Sequence, residues 1–154
     1  MIEASIYRAK NSLSFVPHGK APSGWVVGRV DIITDDVNSP IETLNSHLKF
    51  IVDDYDSKGN EGRFNTKGFN RIIAKETTGE SYNVFLKYAA SISIVICESG
   101  VILEPMITSR KYKGFEGYND IHEVLPHSSL EDGTAMQRIL ELLDDVLQSY
   151  GLPS

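Results

Sequence analysis

The sequence predicts an α+β domain in which an antiparallel meander sheet carries two main helices. The first observation is an apolar stripe at helical spacing in each of two segments, about 39–54 and 134–150. The second is a set of short β-branched or alternating segments bounded by glycine, proline and asparagine. The third is a length of 154 residues with 41% hydrophobic residues, which is typical of one domain, 1–154, with a real core.

The N-terminal part of the chain predicts two strands separated by a loop. Residues 2–8 alternate apolar and polar side chains, which is the period of a half-buried strand. Residues 11–24 hold two prolines and two glycines, so we expect a loop there. Residues 25–34 are rich in β-branched side chains and predict a second strand, in which Gly28 marks a bulge or a close backbone approach.

The first main helix is predicted from Ser39 to about Asp54. Ser39 is expected to cap it, Pro40 suits the first helical position, and Glu42 completes a capping box. Its buried stripe is expected to be Ile41, Leu44, Leu48, Ile51, Val52 and Tyr55.

The middle of the chain predicts two hairpins. Residues 57–68 are expected to form a loop, followed by strands at 70–76 and 81–88. Strands at 92–98 and 101–107 are predicted to pair across a turn at Ser99-Gly100.

The C-terminal part predicts a basic loop, a short helical turn and the second main helix. The loop spans 110–117, and the helical turn spans 120–125. Thr134 and Gln137 are expected to form a capping box, and Gly151 is expected to end the helix. These helices on one face would leave the other sheet face to water or a partner.

Charge is sorted along the chain. Residues 31–61 hold eight acids and two bases, and residues 119–154 hold seven acids and one base. The rest of the chain holds six acids and twelve bases, so the net charge of −6 comes from the two helical segments. This pattern, with a pI near 5.2, disfavours general nucleic-acid binding and favours a basic protein partner.

The remaining composition predicts a cytoplasmic protein that does not enter a membrane. Cys97 is the sole cysteine, so no intramolecular disulfide can form. The first residues lack the apolar run of a secretory signal, and the longest apolar-rich stretch, 89–97, is too short for a membrane helix.

Metal and cofactor chemistry is not expected. A calcium loop starting at Asp54 would place Lys58 and Asn65 where ligand oxygens and a bidentate glutamate are needed. His122 and His127 lack the spacing of a helical metal pair, because they are five residues apart and Pro126 intervenes.

Catalytic chemistry is not expected either, although one alternative stays open. Ser128 and Ser129 beside His127 are the local candidates for a nucleophile and base, but no nucleophile-elbow motif surrounds them. The alternative is a small hydrolase or ligand-binding domain with its site near loops 57–68 and 110–118. Another open possibility is a homo-oligomer that buries the uncovered sheet face.

A partner-binding surface is the favoured hypothesis. Phe50 falls opposite the predicted core stripe of the first helix, with Asp53 and Asp54 three and four residues further on. An aromatic anchor ringed by carboxylates suits a cationic surface, provided that the acids lie together and are not consumed by the chain's own lysines and arginines. The predicted contact residues are Asp35, Asp36, Phe50, Asp53, Asp54, Tyr55 and Asp56.

In size, acidity and absence of catalytic motifs, the whole chain resembles the bacterial immunity proteins that neutralise toxins exchanged between competing cells. The resemblance implies an inhibitor without enzymatic activity of its own. Its partner would be a basic, nuclease-like toxin, whose active site or substrate surface it would cover.

Overall fold

The computed structural model describes residues 1–57, 64–109 and 111–151. It has an antiparallel sheet with helices packed on it, so the predicted α+β class is confirmed. The elements are β1 (Ile2–Ala9), β2 (Ser12–Lys20), β3 (Val26–Gly28), β4 (Ile33–Asp36), α1 (Ile41–Asp53), α2 (Phe69–Thr78), α3 (Tyr82–Phe85), β5 (Ala89–Cys97), β6 (Gly100–Thr108), β7 (Phe115–Gly117), β8 (Glu123–Leu125), α4 (Ser129–Asp132) and α5 (Thr134–Ser149).

The sheet runs in the order β3-β2-β1-β5-β6-β7, with β4 also beside β2 and β8 also beside β6. Every pair is antiparallel. β1 and β5 are central neighbours in register from Ile2 opposite Ile96 to Ala9 opposite Ala89. Between β4 and β5 the chain makes α1, α2 and α3, so these helices separate the first four strands from the last four in sequence.

The two predicted main helices cover one face of the sheet, which we call the α1/α5 face. Alternate side chains of the four central strands point to this face, and they pack against the buried residues of both helices. The strands contribute Ala4, Ile6, Leu13, Phe15, Ile92, Ile94, Val101 and Leu103, and the helices contribute Leu44, Leu48, Ile51, Val52, Ala135, Met136, Ile139, Leu142, Leu143 and Val146.

Neither predicted capping box forms. Pro40 is the N-cap of α1 and makes no side-chain cap, while the Ser39 hydroxyl donates to Asp35 instead. Gly133 is the N-cap of α5, and the Thr134 hydroxyl donates to Asp132. The helices end as predicted to within one residue, and Gly151 after α5 has a φ of +67°.

The second face of the sheet, which we call the α2 face, is partly covered by two helices that the sequence did not predict. The predicted hairpin at 70–76 and 81–88 is wrong, because this segment forms α2 and α3. Its β-branched residues favoured strands, but Phe69, Ile73 and Thr77 recur at helical spacing and face the sheet. Full burial of a side chain such as Ile73 contributes roughly 2 kcal/mol, which outweighs the small difference in intrinsic propensity.

The prediction of a loop at 11–24 is wrong for residues 12–20 and correct for residue 11 and residues 21–24. Residues 12–20 form β2, which pairs with β1 and β4 and, beyond Pro17, with β3. Gly19 permits a close approach, because a Cβ there would lie 2.7 Å from the backbone oxygen of Asp56. The predicted strand at 25–34 is divided into β3 and β4, which pair with different parts of β2.

The β5–β6 hairpin is confirmed, with a turn one residue earlier than predicted. Cys97 pairs with Gly100, so Glu98 and Ser99 make the two-residue connection. The predicted helical turn at 120–125 is wrong, because residues 123–125 form β8 along the start of β6. Within the described ranges, no helix has the length and hydrophobicity needed to cross a bilayer.

Candidate protein-binding surface

Phe50 lies on the side of α1 that faces the β3–β4 edge of the sheet. His47 and Asp54 flank it, because residues three and four apart on a helix are neighbours. His47 Nε2 lies 2.9 Å from a carboxylate oxygen of Asp35 on β4. Asp54 accepts a 2.6 Å hydrogen bond from Nη2 of Arg29, in the β3–β4 connection. Phe50 is therefore held between two contacts to the same edge, and it is 54% exposed.

The structure thus brings together most of the predicted contact residues and adds one. We call this set the Phe50 surface and define it as Asp31, Asp35, Phe50, Asp53 and Asp54. The predicted Asp36 does not belong to it, because its position opposite Ser12 directs its side chain to the α2 face, whereas Asp35, opposite Leu13, faces α1. Asp31 was missed because its position in sequence suggested the interior of a strand, whereas it lies in the connection between β3 and β4.

Arg29 is fully buried and fixes two of these acids. Its Nε and Nη2 donate to the carboxylate of Asp31, and its Nη1 donates to the backbone oxygen of Asp54. Burial disfavours the charge on Arg29, but the hydrogen bonds to Asp31 and Asp54 outweigh it and raise its pKa. Asp54 is paired with an arginine of its own chain, so its charge is partly neutralised before any partner binds. This is contrary to the sequence hypothesis, which required acids without such internal pairing.

The guanidinium itself is inaccessible, whereas the side chains of Asp31 and Asp54 are 42% and 30% exposed. A molecule approaching this edge therefore meets the carboxylates and not the arginine. Arg29, Asp31 and Asp54 together carry a net charge of −1. Their mutual hydrogen bonds hold the side chains in place, so little side-chain entropy remains to be lost on binding.

Asp35 is also oriented by internal contacts. Its carboxylate accepts hydrogen bonds from the Ser39 hydroxyl and the Asp36 amide, and it lies beside His47. These contacts, led by the Ser39 hydroxyl, lower the pKa of Asp35 and keep it ionised.

Asp31 and Asp53 are the exposed acids of the Phe50 surface. Asp53 is three residues after Phe50, at the last position of α1. Asp36 is also exposed, but on the α2 face of β4, where it accepts a hydrogen bond from the Asn38 amide. The Asp53 carboxylate and the Phe50 ring are therefore the parts of the predicted set most open to a partner.

Tyr55 and Asp56 do not join the Phe50 surface. Tyr55 is half-buried, and burial, followed by the charges of Glu3 and Asp56, raises its pKa. Asp56 is buried, and its backbone bridges to Gly19 of β2. Both residues belong to the packing of the chain against the end of the sheet.

Trp25 is a second exposed aromatic residue near the same edge, and the sequence placed it at the start of a predicted strand. It lies just before β3, at the tip of the β2–β3 hairpin, and is 75% exposed. The Ala21 amide donates to the backbone oxygen of Trp25, so the pairing with β2 extends to this residue, and continued alternation would direct its side chain to the α1/α5 face. The signal available in the sequence was its position directly after Pro22-Ser23-Gly24, a turn segment.

The sorted charges of the sequence lie on opposite faces of the sheet. The exposed acids of α1, α4 and α5 are Glu42, Asp53, Glu131, Asp132, Glu141, Asp144 and Asp145. The α2 face carries exposed bases at Lys67, Arg71, Lys75, Lys87, Lys111 and Lys113. Tyr112, 70% exposed, lies among these bases in the loop that contacts α3.

The structure pairs a serine with a histidine at a place that the sequence did not indicate. Ser5 Oγ lies 2.7 Å from His18 Nε2 on the α2 face of the sheet. Burial lowers the pKa of His18 to about 4, and its Nδ1 has no hydrogen-bond partner among the residues that the structure describes. An imidazole with so low a pKa and no orienting carboxylate is a weak general base at neutral pH.

The local serine–histidine candidates of the sequence are not joined. His127 Nε2 contacts the backbone oxygen of Cys97, and the Ser129 hydroxyl donates to the backbone oxygen of Pro126. The site expected for the hydrolase alternative falls partly on residues 58–63 and 110, which lie outside the described residues.

Two shallow clefts are lined by described residues. One, of about 340 Å³, lies between α1 and the α4–α5 junction and is lined by residues that include Asn45, Lys49 and Glu131. The other, of about 330 Å³, is lined by Asn65, Lys67, Gly68 and Arg71. Neither contains a histidine. Within 1–57, 64–109 and 111–151, no three side chains of the metal-ligating types converge.

Comparisons with known proteins identify the fold and nothing more. No family model and no curated protein matches the sequence. The structure is similar to that of a protein of unknown function from Neisseria meningitidis, with a TM-score of 0.65 over 92% of both chains. The sequence identity is 11%, so this similarity concerns the arrangement of strands and helices alone.

Proposed function

We propose that this protein is a binding inhibitor that presents the Phe50 surface to a basic protein partner. The observation that carries the proposal is the exposed ring of Phe50, held on a rigid helix among aspartates of α1 and the β3–β4 edge. Exposed aromatic residues with this surrounding are typical of contact hot spots.

The acids would act mainly before contact. Their field, together with that of α4 and α5, steers a cationic surface towards α1 and can raise the association rate by a factor on the order of 10–1000 at low salt. The ring of Phe50 would then be buried in the contact and slow dissociation. A basic nuclease-like toxin is the proposed partner, since its substrate surface must attract phosphates. The protein would then serve as a cytoplasmic immunity protein.

The test starts from the gene immediately upstream, which we expect to encode a large toxin with a basic C-terminal domain. That domain is purified, and its binding to this protein and its catalytic activity are measured. We expect Phe50→Ala to weaken binding about 30-fold, corresponding to about 2 kcal/mol for a central aromatic contact. Loss of inhibition should follow loss of binding.

Asp53→Asn should lower the association rate about threefold at low salt, and the difference should shrink as salt increases. Tyr112→Ala and Glu76→Gln are matched controls, since these residues are exposed and lie away from the Phe50 surface. Equal binding by all four variants would refute the proposed surface, and absence of any binding would refute the inhibitor function.

A further inference from the structure

The outer edge of β3 has free backbone groups. The amide of Arg29 donates to Pro17, and that of Ala21 donates to Trp25. Hydrogen bonds alternate along an antiparallel pair, so Val27 also faces β2, and the backbone groups of Val26 and Gly28 point away from it. Across the ranges that the structure describes, no residue bonds to these outward groups.

This edge lacks two of the features that usually prevent strand addition. Natural edge strands are commonly protected by short length, charged residues, proline or a covering element. β3 is short, with three residues, but its sequence offers no other protection. β3 is Val26-Val27-Gly28 without charge or proline, and Val26 is 38% exposed. By contrast, β7 and β8 at the opposite side of the sheet carry Glu116 and Glu123.

The two sides of this edge differ in chemistry. On the α1/α5 face, the edge adjoins Trp25 and the acids of the Phe50 surface. Two of these acids, Asp31 and Asp54, pair with Arg29, the residue directly after β3. On the α2 face it presents Val26 and, over Gly28, the ring of Phe69. Lys20, opposite Val26, is the exposed base of the hairpin.

We infer that β3 accepts an extended, basic segment of the protein partner as an additional strand of the sheet. This inference rests on the proposed function and names how the partner is held. In an added strand, side chains alternate between faces. Basic side chains at every second position would lie towards the acids beside α1, and apolar side chains would lie towards Val26 and Phe69. Main-chain hydrogen bonds to Val26 and Gly28 would fix the register.

The experiment uses a synthetic seven-residue peptide of alternating lysine and valine, titrated into the ¹⁵N-labelled protein. We expect saturable shifts of the Val26 and Gly28 amide signals and slower hydrogen exchange of these two amides. A peptide of alternating glutamate and valine should leave them unchanged. Val26→Pro removes an outward amide without touching the β2–β3 bonds, and it should weaken lysine–valine peptide binding at least tenfold.

Trp25→Ala is the second variant. It should weaken binding of the lysine–valine peptide by a similar factor, because the ring of Trp25 would flank the added strand. Tyr112→Ala is the control exposed aromatic and should bind as the parent does. Unfolding by urea, measured for each variant, separates weaker binding from loss of folding.

Three outcomes would overturn the inference. Peptide shifts confined to Phe50 and Asp53 would show attraction without strand addition, and this result leaves the inhibitor proposal intact. No shifts up to millimolar peptide would exclude β3 as a docking strand. Shifts of Val26 and Gly28 that depend on protein concentration without peptide would assign the edge to a second copy of the chain.

Discussion

At the scale of single residues, Arg29 and His18 show how differently this protein treats two basic side chains removed from water. Arg29 is fully inaccessible, and its charge is maintained by Asp31 and Asp54. His18 is half-buried, and burial of its ring favours the neutral form, with no carboxylate of the described residues hydrogen-bonded to it. Burying a charge is costly unless it is paired, so the pairing decides which of the two remains ionised.

His18 should make the protein less stable in mild acid. Its pKa is about 4 when folded and about 6.5 when exposed on unfolding. Below pH 6.5 the unfolded chain takes up a proton that the folded chain does not, so the free energy of unfolding falls as the pH decreases towards 4. Between pH 7 and pH 5, the parent should lose about 2 kcal/mol more than His18→Gln.

Urea unfolding at both pH values measures this difference, and His127→Gln, at an exposed position, is the control. Equal losses for the parent and His18→Gln would mean that His18 titrates normally in the folded protein.

At the scale of elements, the segments that departed from prediction are those in which tertiary contacts opposed local preference. Pro17 lies within β2 at the point where pairing passes from β4 to β3, so its missing amide removes a single ladder bond. α2 holds two isoleucines and two threonines, yet its face towards Tyr7 and Phe85 fixes it as a helix.

The β5–β6 hairpin should depend on Gly100. Its φ is +132°, a value that side chains disfavour, and a Cβ there would lie 2.3 Å from the backbone oxygen of Leu125 on β8. Gly100→Ala should therefore lower the free energy of unfolding by at least about 2 kcal/mol, since it adds strain and displaces β8. Chemical unfolding measures the loss.

Gly79→Ala is the matched control, because Gly79 has a φ of +74° and open space around it. Its cost should be about 1 kcal/mol, from backbone strain alone. A Gly100→Ala loss no larger than this would mean that β8 moves freely away from the hairpin.

At the scale of the whole molecule, the sheet separates the charges that the sequence had sorted. Acids lie exposed on α1, α4 and α5, and bases lie exposed along α2 and the loop before β7. Such a charge distribution orients the molecule in the field of a charged partner before contact. A basic partner would thus approach the α1/α5 face.

Exposed charge on α5 should therefore affect the rate of association with the proposed partner and not the contact itself. Asp145→Lys with Gln148→Lys changes two exposed positions on α5. We expect the association rate to fall about threefold at low salt and the dissociation rate to stay unchanged, since neither side chain belongs to the Phe50 surface. Stopped-flow kinetics over a range of salt concentrations would test this, and a changed dissociation rate would contradict it.

The sequence by itself determined the two main helices, the β5–β6 hairpin, the α+β class and the position of Phe50 opposite the core stripe of its helix. These follow from periods of apolar residues and from turn chemistry, which are local in the chain. The structure decided the strand at 12–20, the helices at 69–85 and the strand at 123–125, because their backbone hydrogen bonds and buried faces depend on partners far away in sequence.

The candidate surface divides in the same way. Helical spacing placed Asp53 and Asp54 next to Phe50, as the sequence indicated. The sequence did not reveal that Arg29 would pair with Asp54, that Asp56 would be buried, or that Trp25 and the free edge of β3 would lie on the same side as Phe50. The charge and exposure of this surface depend on which residues, distant in sequence, come into contact across the sheet. Only the tertiary structure determines those contacts.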